Sequence, residues 1–511
     1  MILDFMESTA DNKSIHDKFG FIRIDDSLGA REMVPNKIAS ITGRQRKVLF
    51  ITPHAALDVF SKSKIRVAVP HIPYLSLATL AGTVLQCHHD ARILDLSISP
   101  QPQEDLMKEI RSYQPDVVAI TCTTALFPEA KQIADVVLKE LPNVTLLTGG
   151  AHPSNEPIRV LEESKFDMAI FGEGEMTLAD IIMGKPLNEI PGISYRHKDR
   201  IFINQTREFV QNLDELPFPA WHLYDLSKYR TPRLTGRKNP VGAMETSRGC
   251  PYLCTYCNKG VFTIKWRGKS AQRVVDEMEY MLKCGFKEIH IWDDMFSTDR
   301  DRAKKICDLI IQRGLKFPWN IYNGIRVDSV DQELLNKLKQ AGCYRVSFGV
   351  ESGNQRVLDG IKKGIQLEQA KNAFAMAKKA NIETMGFFML GLPDDTEETM
   401  QETIEFASQL QPDIPKAGIL MPLPGTPLYK EWVEKGIIKN FNWDEFVFHA
   451  PAKVYKHPNL DYQTTFKYYN KFYSQLMLNP KFLFNRLIRD IKTGDLPWDI
   501  YYFVKTLRYG W

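Results

Sequence analysis

Three cysteines on one short segment constrain this chain more than any other feature of its sequence. Cys250, Cys254 and Cys257 are spaced as Cys-x3-Cys-x2-Cys. Thiolates on one loop bind a soft metal centre, and iron–sulfur clusters usually take four of them. A cubane held by three thiolates leaves one iron free to bind another molecule, which turns an electron carrier into a catalyst. The spacing therefore predicts an iron–sulfur cluster with one open iron.

Zinc, disulfide bonds and chance each account less well for the three cysteines. A zinc site needs a fourth Cys or His, and the nearest histidines, His222 and His290, lie outside the loop. Disulfides are not expected without a secretory signal. Chance clustering explains little, because the chain has only eight cysteines in 511 residues. The other five stand alone and suit buried apolar positions: Cys87, Cys122, Cys284, Cys307 and Cys343.

Length and composition indicate an enzyme of the cell interior. The 511 residues suggest two to four domains, and a hydrophobic fraction of 44% is ample for their cores. A formal net charge of +4 does not mark a nucleic-acid binder, so we expect no nucleic-acid partner. The sequence shows neither a signal segment nor an apolar run of about 18 residues. Because an open cluster is oxygen-sensitive, we expect a cytoplasmic location.

The first half of the chain alternates strand and helix patterns. Residues 1–45 have weak periodicity and are interpreted as an extension that packs on the domains or is partly disordered. Residues 46–185 show apolar strands at 47–52, 91–96, 117–121, 144–148 and 167–171, with helical spacing between them. This pattern predicts an α/β, doubly wound (Rossmann-like) domain whose ligand lies beyond the carboxyl ends of the strands. Small and polar residues occupy those ends, although ordinary turns would also explain them.

The second half repeats a strand–helix unit six times. Residues 186–240 form a linker with a small hairpin at 193–204. Residues 241–440 show strands at 241–246, 288–292, 320–326, 345–349, 383–390 and 417–420. Six such units predict a partial (β/α)6 barrel with its chemistry at the carboxyl ends of the strands. The cysteine loop follows the first of these strands.

Polar residues also follow the later strands of the predicted barrel. Asp293 and Asp294 follow the second strand, although carboxylates there are often only helix N-caps. Arg326 ends the third and could equally form an ordinary surface ion pair. Gly-Val-Glu-Ser-Gly at 349–353 ends the fourth strand, Gly-Phe-Phe-Met-Leu-Gly-Leu-Pro at 386–393 the fifth, and Pro-Leu-Pro-Gly-Thr-Pro at 422–427 follows the sixth. Taken alone, each of these segments is weak evidence for a functional site.

In this order, with an aromatic residue before the last cysteine, these segments resemble the radical S-adenosylmethionine (radical SAM) superfamily. Residues 73–77, 115–120, 149–153 and 172–177 resemble the cobalamin-binding (B12-binding) domain that precedes many radical SAM cores. The resemblance implies that Cys250, Cys254 and Cys257 hold a [4Fe–4S] cluster. Its free iron would chelate the amino and carboxylate groups of SAM, and one electron would cleave SAM to a 5′-deoxyadenosyl radical.

The resemblance also assigns residues to the two organic cofactors. The expected SAM residues are Tyr256, Asp293, Asp294, Arg326, Glu351, Ser352 and Gly391. The expected cobalamin residues are Thr121, Thr123, Gly149, Gly150, His152, Gly172, Glu173 and Gly174.

One departure from the cobalamin proteins concerns the lower ligand of cobalt. Many of them carry Asp-x-His-x-x-Gly, and this chain has no such pattern. We therefore expect cobalamin to bind without a histidine lower ligand, while a domain that has lost cobalamin stays an alternative.

The C-terminal region, 441–511, interleaves aromatic and basic residues on predicted amphipathic helices. Such helices can lie on a membrane surface, wall a lipid-like substrate or cap the barrel. We expect a cap, with peripheral membrane contact as the alternative.

These patterns together predict a cobalamin-dependent radical SAM enzyme that modifies an unactivated carbon, most often by methyl transfer. The alternatives are an oxidative cyclase or an adenosyl-group transferase acting on a tetrapyrrole or a hopanoid-like lipid. A non-catalytic cobalamin or redox sensor would not need an open iron. We expect a small-molecule or lipid-like substrate and an electron donor such as flavodoxin or ferredoxin.

The cysteine loop gives the first testable prediction. Protein reconstituted under anaerobic conditions should hold about four irons, as one cubane does. Replacing Cys250, Cys254 and Cys257 together with Ala should abolish the iron content and SAM cleavage, both measured on the same preparations. Normal iron in this triple variant, or a single bound zinc in the wild type, would contradict the cluster.

Overall fold

The computed structural model describes residues 33–54, 69–447 and 451–508. Its first sheet has seven strands in the order β2-β1-β3-β4-β5-β6-β7. The first five strands are parallel, and β6 and β7 run antiparallel to their neighbours. The strands are β1 Lys47–Thr52, β2 Asp90–Asp95, β3 Val117–Thr121, β4 Thr145–Gly149, β5 Met168–Ile170, β6 Ile193–His197 and β7 Arg200–Ile203. This order confirms the doubly wound fold, with its switch point between β1 and β3.

Helices connect the strands of this first domain. Proline in the first turn favours the start of α2, α3 and α5, because its missing N–H has no partner there anyway. The helices are α1 Leu75–Gln86, α2 Pro102–Tyr113, α3 Phe127–Glu140, α4 Ala151–Asn155, α5 Pro157–Glu162 and α6 Glu175–Ile182.

The flanks of the first domain pack on it. The predicted hairpin forms β6 and β7 and extends the first sheet past residue 185. In the described part of the N-terminal extension, the Asn36 side chain donates to the carbonyl of Ile181 at 2.9 Å. In the linker, the Ala220 N–H donates to the carbonyl of Ala78 on α1 at 2.8 Å. The linker and residues 33–45 of the extension are therefore packed against the domain, while residues 1–32 lie outside the described ranges.

The second domain is the predicted partial barrel. Its six strands are parallel and follow chain order, as β15-β14-β13-β12-β11-β8. They are β8 Val241–Met244, β11 Glu288–Trp292, β12 Trp319–Ile325, β13 Cys343–Glu351, β14 Glu383–Leu390 and β15 Ile414–Ile419. A short ribbon of β9 (Ser247–Arg248) and β10 (Arg267–Gly268) lies beside them.

Helices connect the barrel strands, as the repeated strand–helix unit predicts. The first of them begins after Ser270, whose side chain accepts from the Arg273 N–H and caps the helix. The helices are α7 Ala271–Lys283, α8 Arg300–Gln312, α9 Gln332–Gln340, α10 Gln355–Gly360, α11 Leu367–Lys379, α12 Glu397–Leu410 and α13 Pro427–Glu434.

The amino end of the barrel is closed by the end of the linker. The N–H groups of Arg237 and Lys238 donate to the Glu288 carboxylate at 2.6 and 2.7 Å. Inside the barrel the same carboxylate accepts from the Tyr344 hydroxyl at 2.5 Å and contacts the His290 ring at 2.8 Å. Because this end is plugged by a buried polar network, a ligand must approach from the carboxyl ends of the strands.

The C-terminal region is helical, with α14 Tyr462–Met477, α15 Pro480–Thr493 and α16 Leu496–Arg508. The cap prediction is confirmed for α14, which covers the open edge strand β15. There the Tyr473 hydroxyl contacts the Ala417 N–H at 3.0 Å and the Ala417 carbonyl at 3.1 Å, so the edge is not left unpaired. On α15 and α16, Phe482 is buried, whereas Phe484 and Trp498 are exposed, so the role of these two helices stays a prediction.

None of the helices that the structure describes is long and apolar enough to cross a membrane.

Candidate active site

The cysteine loop is held at both of its ends by the β9–β10 ribbon. The ribbon pairs Arg248 with Arg267 in antiparallel register. The loop then turns at Gly249, which has a φ of +84°. A Cβ at this position would lie 2.3 Å from the carbonyl oxygen of Lys265, so only glycine fits.

The middle of the loop is fastened to the carboxyl end of the barrel. The Thr255 N–H donates to the Ile361 carbonyl at 3.0 Å, and the Thr255 carbonyl accepts from the Leu428 N–H at 2.9 Å. The Asn258 side chain donates to the Pro424 carbonyl at 2.9 Å. The segments that follow the fourth and sixth barrel strands therefore position the loop.

The three cysteines offer separate thiols on this loop, with Cys254 buried and Cys250 and Cys257 half-buried. The hydrogen bond from Cys257, with the nearby cations of Lys363 and Arg326, lowers the pKa of the Cys254 thiol. This favours the thiolate that iron binds. Among the residues in the described ranges, no three His, Cys, Asp or Glu side chains are arranged around a single ion. A cubane binds each thiolate on a different iron, so the chemistry of this donor set suits it.

Glu351 comes to the cysteines from the end of β13. Its backbone has a φ of +68°, which is strained for a residue with a side chain. The buried carboxylate accepts from Lys363 Nζ at 2.8 Å, and Lys363 also reaches the Tyr256 hydroxyl at 3.4 Å. Burial and the charge of Glu351 raise the pKa of Tyr256, so its phenol stays protonated. The structure thus brings Tyr256 and Glu351 together and adds Lys363, which no sequence motif signalled.

The two aspartates after β11 hold the start of the loop. The Asp293 carboxylate is buried and accepts from the Thr246 N–H at 2.6 Å and from the Ser247 hydroxyl at 2.7 Å. Asp294 is exposed and accepts from the Gly249 N–H at 3.0 Å. Asp293 is thereby committed to the fold, whereas the Asp294 carboxylate contacts the loop at Gly249, directly before Cys250.

Arg326 lies against the cysteine loop. Its guanidinium pairs with both oxygens of Asp328 at 2.9 Å and donates to the Lys363 carbonyl at 2.9 Å. The guanidinium carbon is 3.5 Å from the centre of the Tyr252 ring. This cation is therefore already paired and orients the loop through Tyr252.

Ser352 and Gly391 make structural contacts. The Ser352 hydroxyl is buried and accepts from the Asn354 N–H at 3.1 Å. Gly391 has a φ of +74°, and a Cβ there would lie 3.1 Å from Thr465 of α14. Both shape the turns behind the predicted SAM position.

A cavity of about 610 Å³ lies between the two domains. From the barrel it is lined by Ala243, Glu245, Arg248, Trp292 and Tyr322, among others. Six of the predicted cobalamin residues line its other side: Thr121, Gly149, Gly150, Gly172, Glu173 and Gly174. The carboxyl ends of both parallel sheets thus open into one space. Its volume is within the range of ligand pockets.

The other two predicted cobalamin residues, Thr123 and His152, do not line the cavity. His152 is buried, with its ring centre 4.7 Å from that of Phe127 and 4.8 Å from that of Trp443. Burial, with a smaller effect of Arg159, lowers the pKa of His152 to about 3, so the ring is neutral. His152 therefore packs the domain against the segment after the barrel.

A buried ionic cluster joins the two domains beside the cavity. Arg248 donates to Glu173 at 3.2 Å, to Glu175 at 2.6 Å and to Glu245 at 2.6 Å. Arg267 donates to Glu173 at 2.8 Å. Sequence reasoning assigned Glu173 to cobalamin and missed both arginines. Their positions on either side of the cysteine loop were the only signal, and their partners in the first domain, Glu173 and Glu175, lie more than 70 residues away.

Two family models match the chain. The model for the B12 binding domain matches residues 65–182, and the model for the Radical SAM superfamily matches residues 244–407. An uncharacterised methyltransferase of Pyrococcus horikoshii is 33% identical over 426 residues, which cover 82% of this chain and 90% of that protein. The cytidylyl-2-hydroxyethylphosphonate methyltransferase of Streptomyces wedmorensis is 29% identical over 464 residues, covering 78% and 83%.

The fold also resembles a solved structure. The radical SAM methyltransferase TsrM of Kitasatospora setae, solved with cobalamin and a [4Fe–4S] cluster bound, has a TM-score of 0.64 at 20% identity. The match covers 78% of this chain and 76% of TsrM. At this identity the likeness shows the shared fold.

The chain belongs to the radical SAM superfamily, in the group that carries a B12-binding domain before the radical SAM core. The predicted family, fold class and cofactor set, a [4Fe–4S] cluster with SAM and cobalamin, are confirmed at this level. The roles of individual site residues stay predictions.

The ionic cluster gives the second testable prediction. Replacing Arg248 with Met leaves Glu175 and Glu245 buried without their cation, so the free energy of unfolding should fall by about 3–5 kcal/mol. Denaturant unfolding of the reconstituted protein measures this loss. The control is Arg300→Met, because the half-exposed Arg300 pairs with Asp331 at the surface and should change stability by less than about 1 kcal/mol. Equal effects in the two variants would contradict a special role for the buried cluster.

Proposed function

We propose that this enzyme transfers a methyl group to an unactivated carbon of a small organic substrate bound between its two domains. The observation that carries the proposal is the shared cavity, which both sheets face with their carboxyl ends. Arg248 lines this cavity and stands two residues before Cys250. The strand ends of the first sheet line the same cavity with Gly149, Gly150, Gly172 and Gly174, which we call the glycine edge. The cysteine loop and the glycine edge therefore face one cavity.

The residues present fit the cofactors of the family. We propose that the three cysteines hold the [4Fe–4S] cluster and that Glu351, Lys363 and Asp294 would bind SAM beside it. Cobalamin would lie along the glycine edge of the first sheet, where a Cβ on Gly172 would meet no atom within 4 Å. When bound, these groups supply one-electron cleavage of SAM and a transferable methyl group.

The chain itself orients and shields the reaction. Most of the cavity wall is apolar, which excludes water from a reactive carbon centre. On the barrel side, Trp292 stacks on Tyr322 with ring centres 5.5 Å apart, and Trp292 is 40% exposed. Lys416 Nζ donates to the Tyr322 hydroxyl at 2.9 Å and fixes that ring. We propose that the substrate packs on this aromatic pair.

The relatives support the type of reaction. The proteins from Pyrococcus horikoshii and Streptomyces wedmorensis are both named as methyltransferases, and the first spans most of both chains. Their names therefore support methyl transfer as the reaction type of this enzyme.

We further propose that a small protein donor such as flavodoxin or ferredoxin delivers the electron in the cytoplasm. Leu253, between the first two cluster cysteines, is 63% exposed. A donor can therefore approach the cluster loop from solvent.

Cobalamin binding gives the third testable prediction. Replacing Gly172 with Leu places a side chain in the cavity and should abolish cobalamin retention, followed by the absorption spectrum of the anaerobically purified protein. The matched control is Gly43→Leu, because Gly43 has a φ of +73°, near the +75° of Gly172, and also has open space around its Cβ position.

Both changes carry the same cost of a left-handed backbone, about 1–2 kcal/mol. The two variants should therefore lose similar stability, but only Gly172→Leu should lose cobalamin. Full retention of cobalamin by the Gly172→Leu variant would contradict the proposal that cobalamin binds along the glycine edge.

The reaction itself gives the fourth testable prediction. Reconstituted enzyme incubated anaerobically with a reductant, a small-molecule extract and SAM carrying a trideuterated methyl group should yield a product with that methyl in place of one hydrogen. Mass spectrometry identifies it, and the Cys257→Ala variant serves as the inactive control. A product that has only lost hydrogens would instead establish an oxidative cyclase. A product that has gained the adenosyl moiety would establish an adenosyl-group transferase.

A further inference from the structure

The helix α15 is amphipathic with its apolar side turned to solvent. Its inward side carries Arg489 and Asp490, which pair at 2.6 Å, and Asp490 is 2% exposed. The opposite side carries five exposed apolar side chains, between 38% and 65% accessible: Leu483, Phe484, Leu487, Ile488 and Ile491. A helix that served only as a cap would turn this apolar stripe toward the barrel.

The next helix continues the same exposed surface. α16 packs beside α15 through the Arg486–Asp499 pair at 2.9 Å. We call the joint surface the outer face and define it by the five residues above with Ile500 and Val504, which are 56% and 44% exposed. Exposed apolar patches of this kind mark sites of interaction.

Charge on these helices selects one kind of partner. Each of the acids Asp490, Asp495 and Asp499 is engaged by an arginine. Lys481 and Lys492 are exposed, and no ion pair within the described ranges involves them. At 3.6 residues per turn, positions 481, 488 and 492 lie along one side of the apolar stripe. The surface is therefore apolar with a cationic margin.

The two helices that carry the outer face are attached to the amino end of the barrel through their inner sides. Arg233, in the linker segment near the barrel plug, pairs with Asp495 at 2.6 Å. The Arg233 N–H also donates to the Tyr502 hydroxyl at 3.1 Å. The cavity opens at the carboxyl ends of the strands, so a partner on the outer face leaves the cavity open.

We propose that the outer face docks on an anionic lipid surface. Apolar side chains on one side of a helix, bordered by lysines, are the features of helices that lie in a membrane interface. Each lysine near an anionic surface adds an attraction that salt screens beyond a Debye length, about 10 Å at 0.1 M. The enzyme is thereby held at the membrane with its cavity turned to the aqueous side.

Vesicle flotation of the full-length reconstituted enzyme tests this proposal. The protein should float with vesicles that contain phosphatidylglycerol, float less with pure phosphatidylcholine, and detach in part as salt rises. The double variant Phe484→Glu, Ile491→Glu should reduce the floated fraction at least about tenfold, because burial of two large apolar side chains is lost. A second double variant, Lys481→Gln, Lys492→Gln, should lower the salt dependence.

The matched control is the double variant Val136→Glu, Ile311→Glu, because these side chains are 39% and 45% exposed on α3 and α8. It should float like the wild type, and all variants should keep the wild-type iron content. Absence of flotation in the wild type, or flotation that Phe484→Glu, Ile491→Glu does not change, would overturn the proposal. A dimer in solution that this variant dissociates would also overturn it, since a second copy would then cover the outer face.

Discussion

The buried ionic cluster around Arg248 is the interaction on which the arrangement of this enzyme depends. In this cluster Glu173 and Glu175, at the strand ends of the first domain, accept hydrogen bonds from Arg248 and Arg267. These two arginines flank the cysteine loop. Buried charges are tolerable only when each is paired and hydrogen-bonded. The two domains are therefore fixed at one mutual position, because any other position would leave several charges buried and unpaired.

This constraint has a functional consequence. Chemistry that uses SAM cleavage and cobalamin together needs both reactive centres to face the same substrate. The ionic cluster around Arg248 holds the glycine edge of the first sheet opposite the carboxyl end of the barrel, and the cavity is the space between them. The plug at Glu288 closes the opposite end of the barrel, so substrate and cofactors share one entrance region.

The C-terminal helices have two different roles, and amino-acid composition alone does not distinguish between them. α14 completes the barrel, because Tyr473 satisfies the backbone of the edge strand. α15 and α16 instead turn paired aspartate and arginine side chains inward and expose most of their apolar side chains. Aromatic and basic residues are abundant in both parts, so only their directions distinguish a cap from a docking surface.

The sequence by itself determined the elements and their order, because burial with a period of 2 or 3.6 residues is a local property that each segment carries. It also placed the cysteine loop and the strand ends, since residues close in the chain must stay close in space. Tertiary structure alone decided that Glu173 pairs with arginines of the other domain and that His152 packs between Phe127 and Trp443. It also decided that the Asp293 carboxylate is fully engaged by an N–H group and hydroxyl groups of Thr246 and Ser247. The reason is that a polar side chain finds its partner on whichever surface packs against it, and that surface comes from a distant part of the chain.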